Sequence, residues 1–283
     1  MMHPASTHPR IRRHHHRLRP CKESRRPMRS PQDQRQAEAY AFPYHHLPAL
    51  TPVPTISRYW SFAPSYVAGL WIVTDWMDRN LSSNPNARAW RHVDIGCGDG
   101  ALLRHLSRRV PADRLNLTGV DTDRRAIAWA RMFNDASVDI VCDAHTNMEP
   151  GHFDSASLVE VLEHVPPECV PAFVSGAARL LRNGGRLMVT VPSVAKPTEA
   201  KHYQHFSRGG LLAALADDFD VDAVAGFENR LWPARVLRKL VWRKRFRLDW
   251  PPTTHLLVSA MARRRSNTEC CGRILAEATR RSA

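Results

Sequence analysis

From Val93 to Val224, short apolar runs rich in Val, Ile and Leu alternate with stretches whose apolar residues recur at helical spacing. The runs predict buried strands at 93–95, 115–121, 138–144, 153–165, 186–193 and 219–224. The stretches between them predict helices over 101–110, 124–134, 171–182 and 207–216, the third closed by Asn183-Gly184-Gly185. Repeated strand–helix units with apolar strands imply a parallel sheet covered on both faces. Ahead of them, residues 61–81 predict a buried helix, with Pro64 near its first turn and Leu70, Val73, Met77 and Leu81 along one face. Behind them, THLLVSAMA at 254–262 predicts a last strand, and residues 263–283 read as a weakly ordered tail.

Two segments do not fit the alternation. Residues 1–36 are rich in Arg, His, Pro and Ser without apolar periodicity, which predicts a disordered basic tail. An Arg- and Ser-rich, acid-poor start also suits a transit peptide, although the prolines and His14-His15-His16 interrupt an amphipathic helix. The texture changes at Ala37, so one domain is expected over 37–262. Within it, residues 230–248 place Trp232, Val236, Leu237, Leu240 and Val241 at helical spacing among Arg235, Arg238, Lys239 and Arg243. This predicts an inserted basic amphipathic helix, suited to covering the sheet or to peripheral contact with an anionic membrane.

Charge and cysteine content narrow the class. The formal net charge is +14, yet residues 1–36 and 230–247 carry +8 each while 37–229 carry −5. An acidic core with basic flanks makes a phosphate-tracking groove, and so a nucleic-acid partner, unlikely. The six cysteines form no C-x-x-C pair, which points to a reduced, cytoplasmic protein without a zinc site. No apolar run reaches the roughly 18 residues that a membrane span requires.

The chemistry centres on VDIGCGDG, Val93 to Gly100. Asp94 is followed by Gly96, Gly98 and Gly100 between a strand and a helix start, where bare backbone lets a ligand approach and free N–H groups face it. The G-x-G-x-G spacing is not the dinucleotide fingerprint, so a nucleotide-like ligand other than a pyrophosphate is expected.

In their order, the motifs resemble those of class I S-adenosylmethionine-dependent methyltransferases over about residues 60–262. The resemblance implies a single Rossmann-like, doubly wound α/β domain with a mostly parallel seven-stranded sheet, and S-adenosylmethionine as cofactor. It places the methionine end over Gly96, Cys97, Gly98 and Gly100, with Asp94 beneath. GVDTD, Gly119 to Asp123, is similar to the second motif, so Asp121, with Thr122 beside it, would accept from the ribose hydroxyls. CDAH, Cys142 to His145, stands where the family reads adenine, through Asp143 and the Ala144 N–H. FDSASLVEVLEHVPP matches the fourth-strand segment and adds Glu160 to the cofactor site.

A second group follows that strand. Glu160, Glu163 and His164 form E-x-x-E-H, and His202 and His205 lie in KHYQHFSRGGL. The segment is similar to those of quinone-pathway O-methyltransferases and of metal-dependent enzymes that methylate small-RNA 3′ ends. The second likeness implies a divalent cation such as Mg2+ on Glu160, Glu163, His164 and His202, which would lower the pKa of an acceptor hydroxyl. His164, His205 or Glu160 could otherwise take the proton directly. The sequence therefore predicts methyl transfer to a small-molecule or lipid-linked hydroxyl. RNA 2′-O-methylation and a non-catalytic, membrane-associated protein with a degenerate methyltransferase fold are the alternatives.

Overall fold

A computed structural model describes residues 30–40, 55–57, 64–83, 88–229, 242–243, 246–249 and 251–282. In chain order these form α1 (Pro31–Ala39), β1 (Thr55–Ser57), α2 (Pro64–Ser82), β2 (Trp90–Ile95), α3 (Ala101–Arg109) and β3 (Leu115–Asp121). There follow α4 (Arg124–Phe133), β4 (Asp139–Cys142), β5 (Phe153–Val159), α5 (Val170–Leu180), β6 (Leu181–Pro192), α6 (Arg208–Leu215) and β7 (Phe219–Asn229). Then come β8 (Trp242–Arg243), β9 (Phe246–Asp249), α7 (Pro251–Ala262) and β10 (Cys271–Arg280). The main sheet has seven strands in the order β4-β3-β2-β5-β6-β10-β7, parallel except that β10 runs antiparallel to both neighbours. One apolar layer packs α2, α3, α4 and α7 on one face; the other packs α5 and α6 on the opposite face. The expected doubly wound α/β sheet is therefore present. Chain order turns at β2, between β3 and β5, the switch point whose crevice favours ligands in open α/β sheets.

The helices form where apolar spacing and caps agree. Leu102, Leu103 and Leu106 of α3 are buried, and so are Leu70, Val73, Met77 and Leu81 of α2. The Asp123 carboxylate caps α4 by accepting from Arg125 N at 2.8 Å.

Four expectations change. Residues 31–36, read as disordered tail, lie in α1, whose capping box pairs Ser30 with Asp33 and satisfies its first N–H groups. Residues 254–262, read as a strand, belong to α7: Leu257, Val258 and Met261 are buried at helical spacing, and Pro251 and Pro252 begin the helix. Residues 263–283, read as a tail, contain β10 in the sheet interior. Its Ile274, Ala276 and Ala278 enter one apolar layer and Leu275 the other, which is why a strand apolar on both faces belongs there. Of the inserted basic helix, 230–241 lie outside the described residues; 242–243 and 246–249 are instead strands in a small antiparallel sheet with β1. Extended pairing of Phe246–Asp249 with Thr55–Ser57 replaces the helical turn there.

Candidate active site

The glycine loop joins β2 to α3, with Gly96, Gly98 and Gly100 at φ of +73°, +56° and +76°. A side chain would be strained at each, and at Gly98 a Cβ would also come within 2.5 Å of the Tyr40 hydroxyl. Gly96 borders a cavity of about 420 Å3. Asp94 lies buried beneath the loop, its carboxylate accepting from Ser157 Oγ at 2.6 Å. The Cys97 side chain is buried and turned toward Gly119 of β3, and the residue does not line the cavity.

Asp121 ends β3 in the same cavity. Its Oδ2 accepts from Gly98 N at 3.0 Å and its Oδ1 from Asp123 N at 2.8 Å, which locks the carboxylate to the glycine loop. Burial raises its pKa, and those backbone donors oppose the rise. A carboxylate has about four acceptor sites, so Asp121 keeps acceptor capacity for a hydroxyl. Thr122 and Asp143 also line the cavity. The Asp143 Oδ1 accepts from Ala144 N and from Asn147 Nδ2, both at 2.7 Å. The Ala144 N–H expected to read a ring is thus engaged locally, because an Asp side chain reaches the next backbone amide. His145 and Phe173 close this end, the imidazole Nε2 donating to Phe173 O at 3.0 Å.

The roof is α1. Gln32, Asp33, Gln36, Ala37 and Tyr40 line the cavity from above, and the Gln36 Oε1 is buried without a partner. The helix is fastened at both ends. Arg35 donates to Ala200 O at 2.8 Å, Ser30 Oγ bonds to the Tyr203 hydroxyl, and Trp129 Nε1 donates to Tyr40 O at 3.3 Å. The sequence offered little sign of this roof, because basic residues and prolines around it carry the signature of disorder.

At the opposite end from Asp143, Glu160 and His164 line the cavity with Lys201 and Tyr203. Donor atoms of Glu163, His164 and His202 lie within 4.8 Å of one another. Glu160 stands apart from this set. Its backbone is at φ +57°, and its carboxylate is engaged by Thr190 Oγ1 at 3.1 Å and by Arg273 Nε at 2.8 Å. His164 Nδ1 donates to Lys201 O at 3.2 Å. His205 Nδ1 donates to Lys196 O at 3.1 Å, so its Nε2 accepts from His202 Nδ1 at 2.8 Å. His205 therefore has both nitrogens engaged and is not part of the cavity wall. The same bonds leave the Nε2 lone pairs of His164 and His202 as acceptors. Burial lowers both imidazoles to about 3, which keeps them neutral. Burial, with Glu160 nearby, pushes the Glu163 carboxyl well up, and its Oε2 has no partner. Arg273, which holds Glu160, escaped the sequence reading because it lies in the segment taken for a tail.

The glycine turn is bound back to the carboxylate that ends β3, at the switch point of this sheet, and the strand order with helices on both faces is that of a class I methyltransferase fold. The family described as methyltransferase domain matches residues 59–243, and the chain belongs to it, among the S-adenosylmethionine-dependent methyltransferases. It is 34% identical over 119 residues to the ubiquinone biosynthesis O-methyltransferase of Aromatoleum aromaticum, a match covering 40% of this chain and 47% of that protein. The chain thus spans about half the length of the curated relatives it matches. Among solved structures, an S-adenosylmethionine-dependent methyltransferase from Archaeoglobus fulgidus is similar at a TM-score of 0.50 and 14% identity, covering 74% of this chain and 94% of that one. The cyclase SpnF is similar at a TM-score of 0.50 and 18% identity, covering 74% and 81%. These two likenesses show the fold. Among the described residues no helix is long and apolar enough to cross a membrane.

Proposed function

We propose that the protein transfers the methyl group of S-adenosylmethionine to a hydroxyl oxygen of a small-molecule or lipid-linked acceptor, with Glu163, His164 and His202 holding a divalent cation beside that oxygen. The observation that carries this reading is a single cavity joining two unlike ends. One end has Gly96 of the glycine loop, Asp121 and Asp143; the other has His164 with Glu163 and His202 behind it.

Asp121 would take the ribose hydroxyls and Asp143 the adenine amino group. The glycine loop would receive the methionine end, over the buried negative charge of Asp94. A sulfonium is already a good leaving group, so the chain's main contribution is to hold acceptor, methyl and sulfur in line. Such positioning supplies on the order of 7–11 kcal/mol.

The Glu163 set fits a cation on its own chemistry. Two neutral imidazoles present Nε2 lone pairs, with backbone carbonyls fixing one tautomer directly and the other through His205. The buried Glu163 oxygen has no hydrogen-bond partner, and a bound cation would satisfy it and hold the carboxyl ionised. When bound, the cation supplies Lewis acidity that lowers the acceptor hydroxyl's pKa. Two nitrogens to one carboxylate suit Mn2+ or Zn2+ better than Mg2+. With pKa values near 3, His164 and His202 are poor proton acceptors, which favours this role over general-base catalysis.

The test combines radiometric methyl transfer to hydroxyl-bearing small molecules with metal analysis of the purified protein. Chelation should abolish transfer and Mn2+ should restore it. Glu163→Gln should weaken metal retention at least about tenfold, since even loss of an outer partner costs that much. Full turnover in chelator would remove the cation from the mechanism while leaving methyl transfer in place.

A further inference from the structure

Beneath the glycine loop, a line of polar side chains crosses an otherwise apolar face of the sheet. Trp90, His92 and Asp94 alternate along β2 and so share one face. Beside them on β5, Ser155 pairs in register with His92, and Ser157 with Asp94. Trp90 Nε1 donates to Ser155 Oγ at 2.8 Å, and Ser155 Oγ lies 2.9 Å from His92 Nδ1. His92 Nε2 lies 3.1 Å from Ser157 Oγ, which donates to Asp94 Oδ1 at 2.6 Å. His92, Ser155 and Ser157 have no exposed surface.

The two ends of the line dictate where its protons sit. An ionised Asp94 only accepts, so Ser157 spends its proton there and must itself accept from His92 Nε2–H. His92 Nδ1 is then the acceptor for Ser155, whose oxygen takes the indole N–H of Trp90. Every donor has an acceptor. A protonated Asp94 whose O–H points at Ser157 reverses the order: that O–H donates to Ser157, Ser157 to Nε2, and Nδ1–H to Ser155. The Ser155 oxygen would then face two N–H donors, with its own proton displaced from the line. Because an indole can never accept, Trp90 favours the first order.

We propose that Trp90, Ser155, His92 and Ser157 form a one-way hydrogen-bond relay that keeps Asp94 ionised beneath the cationic cofactor, so that these four positioning residues set S-adenosylmethionine affinity without touching the ligand. The proposal rests on Asp94 lying under the cofactor, as in the function proposed above. The Asp94 carboxyl stands raised at about 7, burial being the largest cause, with the Ser157 bond pulling it down and Asp121 on β3 pushing it up. On the loop, the Cys97 thiol is buried, pushed up, and faces Asp94, Asp99 and Asp121. From α2 the neighbour is Trp76, edge-on to His92 with ring centroids 6.3 Å apart. Burial lowers His92 to about 3, so it stays neutral and acts only as a donor–acceptor link. Asp94 thus ionises near neutrality, and cofactor affinity should rise as pH rises through about 7.

The test is calorimetric titration of the full chain with S-adenosylmethionine from about pH 6 to about pH 9, a range that spans the shifted carboxyl. Wild type, Ser157→Ala, Trp90→Phe and Asp94→Asn are compared, so that titration of the cofactor's own amine is common to all. Ser157→Ala should move the affinity midpoint up by about one pH unit, the scale of one hydrogen bond to a charged group. Trp90→Phe should move it the same way by less, with affinity near wild type at high pH. Uniform weakening at every pH, or a shift in Ser157→Ala alone, would overturn the relay. Should Asp94→Asn bind as wild type throughout, the placement of Asp94 under the cofactor fails instead.

Discussion

Gly98 shows how one missing side chain serves two purposes. Its φ of +56° costs any other residue about 1–2 kcal/mol, and the space a Cβ would take is already held by Tyr40 of the roof. Its N–H meanwhile anchors Asp121 at 3.0 Å, so loop, roof and the acid that ends β3 are fixed through one residue. Gly98→Ala should therefore lose about 1–2 kcal/mol in urea unfolding from backbone strain. It should also lift Tyr40, seen as faster protease cleavage around α1. Adding Tyr40→Phe should slow that cleavage but leave the stability loss, because removing the hydroxyl clears space without changing φ. Identical cleavage in the single and double variants would contradict this assignment. The three glycines and Asp121 were legible because a strand-to-helix turn against a ligand restricts residue choice severely. Tyr40 was not, since nothing local to Ala37–Tyr40 announces what it will cover.

Among the elements, β10 ties the distant parts of the site together. Its Arg273 donates to Glu160 at 2.8 Å and also to Glu228, which Lys196 approaches at 3.6 Å. Glu160 and Glu228, from the ends of β5 and β7, both sit at φ +57°, a conformation costly for a non-glycine residue. One guanidinium thus holds two strained carboxylates, and it withdraws Glu160 from the Glu163 set. Arg273→Met should destabilise the fold by about 3–5 kcal/mol, the cost of leaving buried charges unpaired. Further replacement of both carboxylates, Glu160→Gln and Glu228→Gln, should restore part of it. A thermal unfolding midpoint unchanged by Arg273→Met would contradict the arrangement. The sequence placed its last strand at 254–262 instead, and the reason is physical. LLV reads as a strand by composition, while the i, i+1, i+4 burial of Leu257, Val258 and Met261 decides for a helix. β10 sets Arg273, Glu277 and Arg280 among apolar residues without a clean alternation, a weak signal outside its neighbours' company.

For the whole molecule, the alternation of strands and helices from Val93 to Val224 was enough to predict the doubly wound sheet, since a parallel sheet covered on both faces leaves few other patterns. The ends were not legible. α1 and β10 owe their structure to long-range contacts, with the cavity in one case and with β6 and β7 in the other. In the proposed function, the cofactor end draws on residues close in sequence and the acceptor end on residues that only the fold assembles, His164 with His202 among them. The measurement that tests this account most directly is calorimetric titration of the full chain with S-adenosylmethionine and with its demethylated product, alongside Asp121→Ala. The account predicts one site for each ligand, weakened by about 1–3 kcal/mol in the folded variant, the scale of hydrogen bonds to a charged group. Binding of neither ligand by a folded sample, or equal affinity after Asp121→Ala, would contradict it.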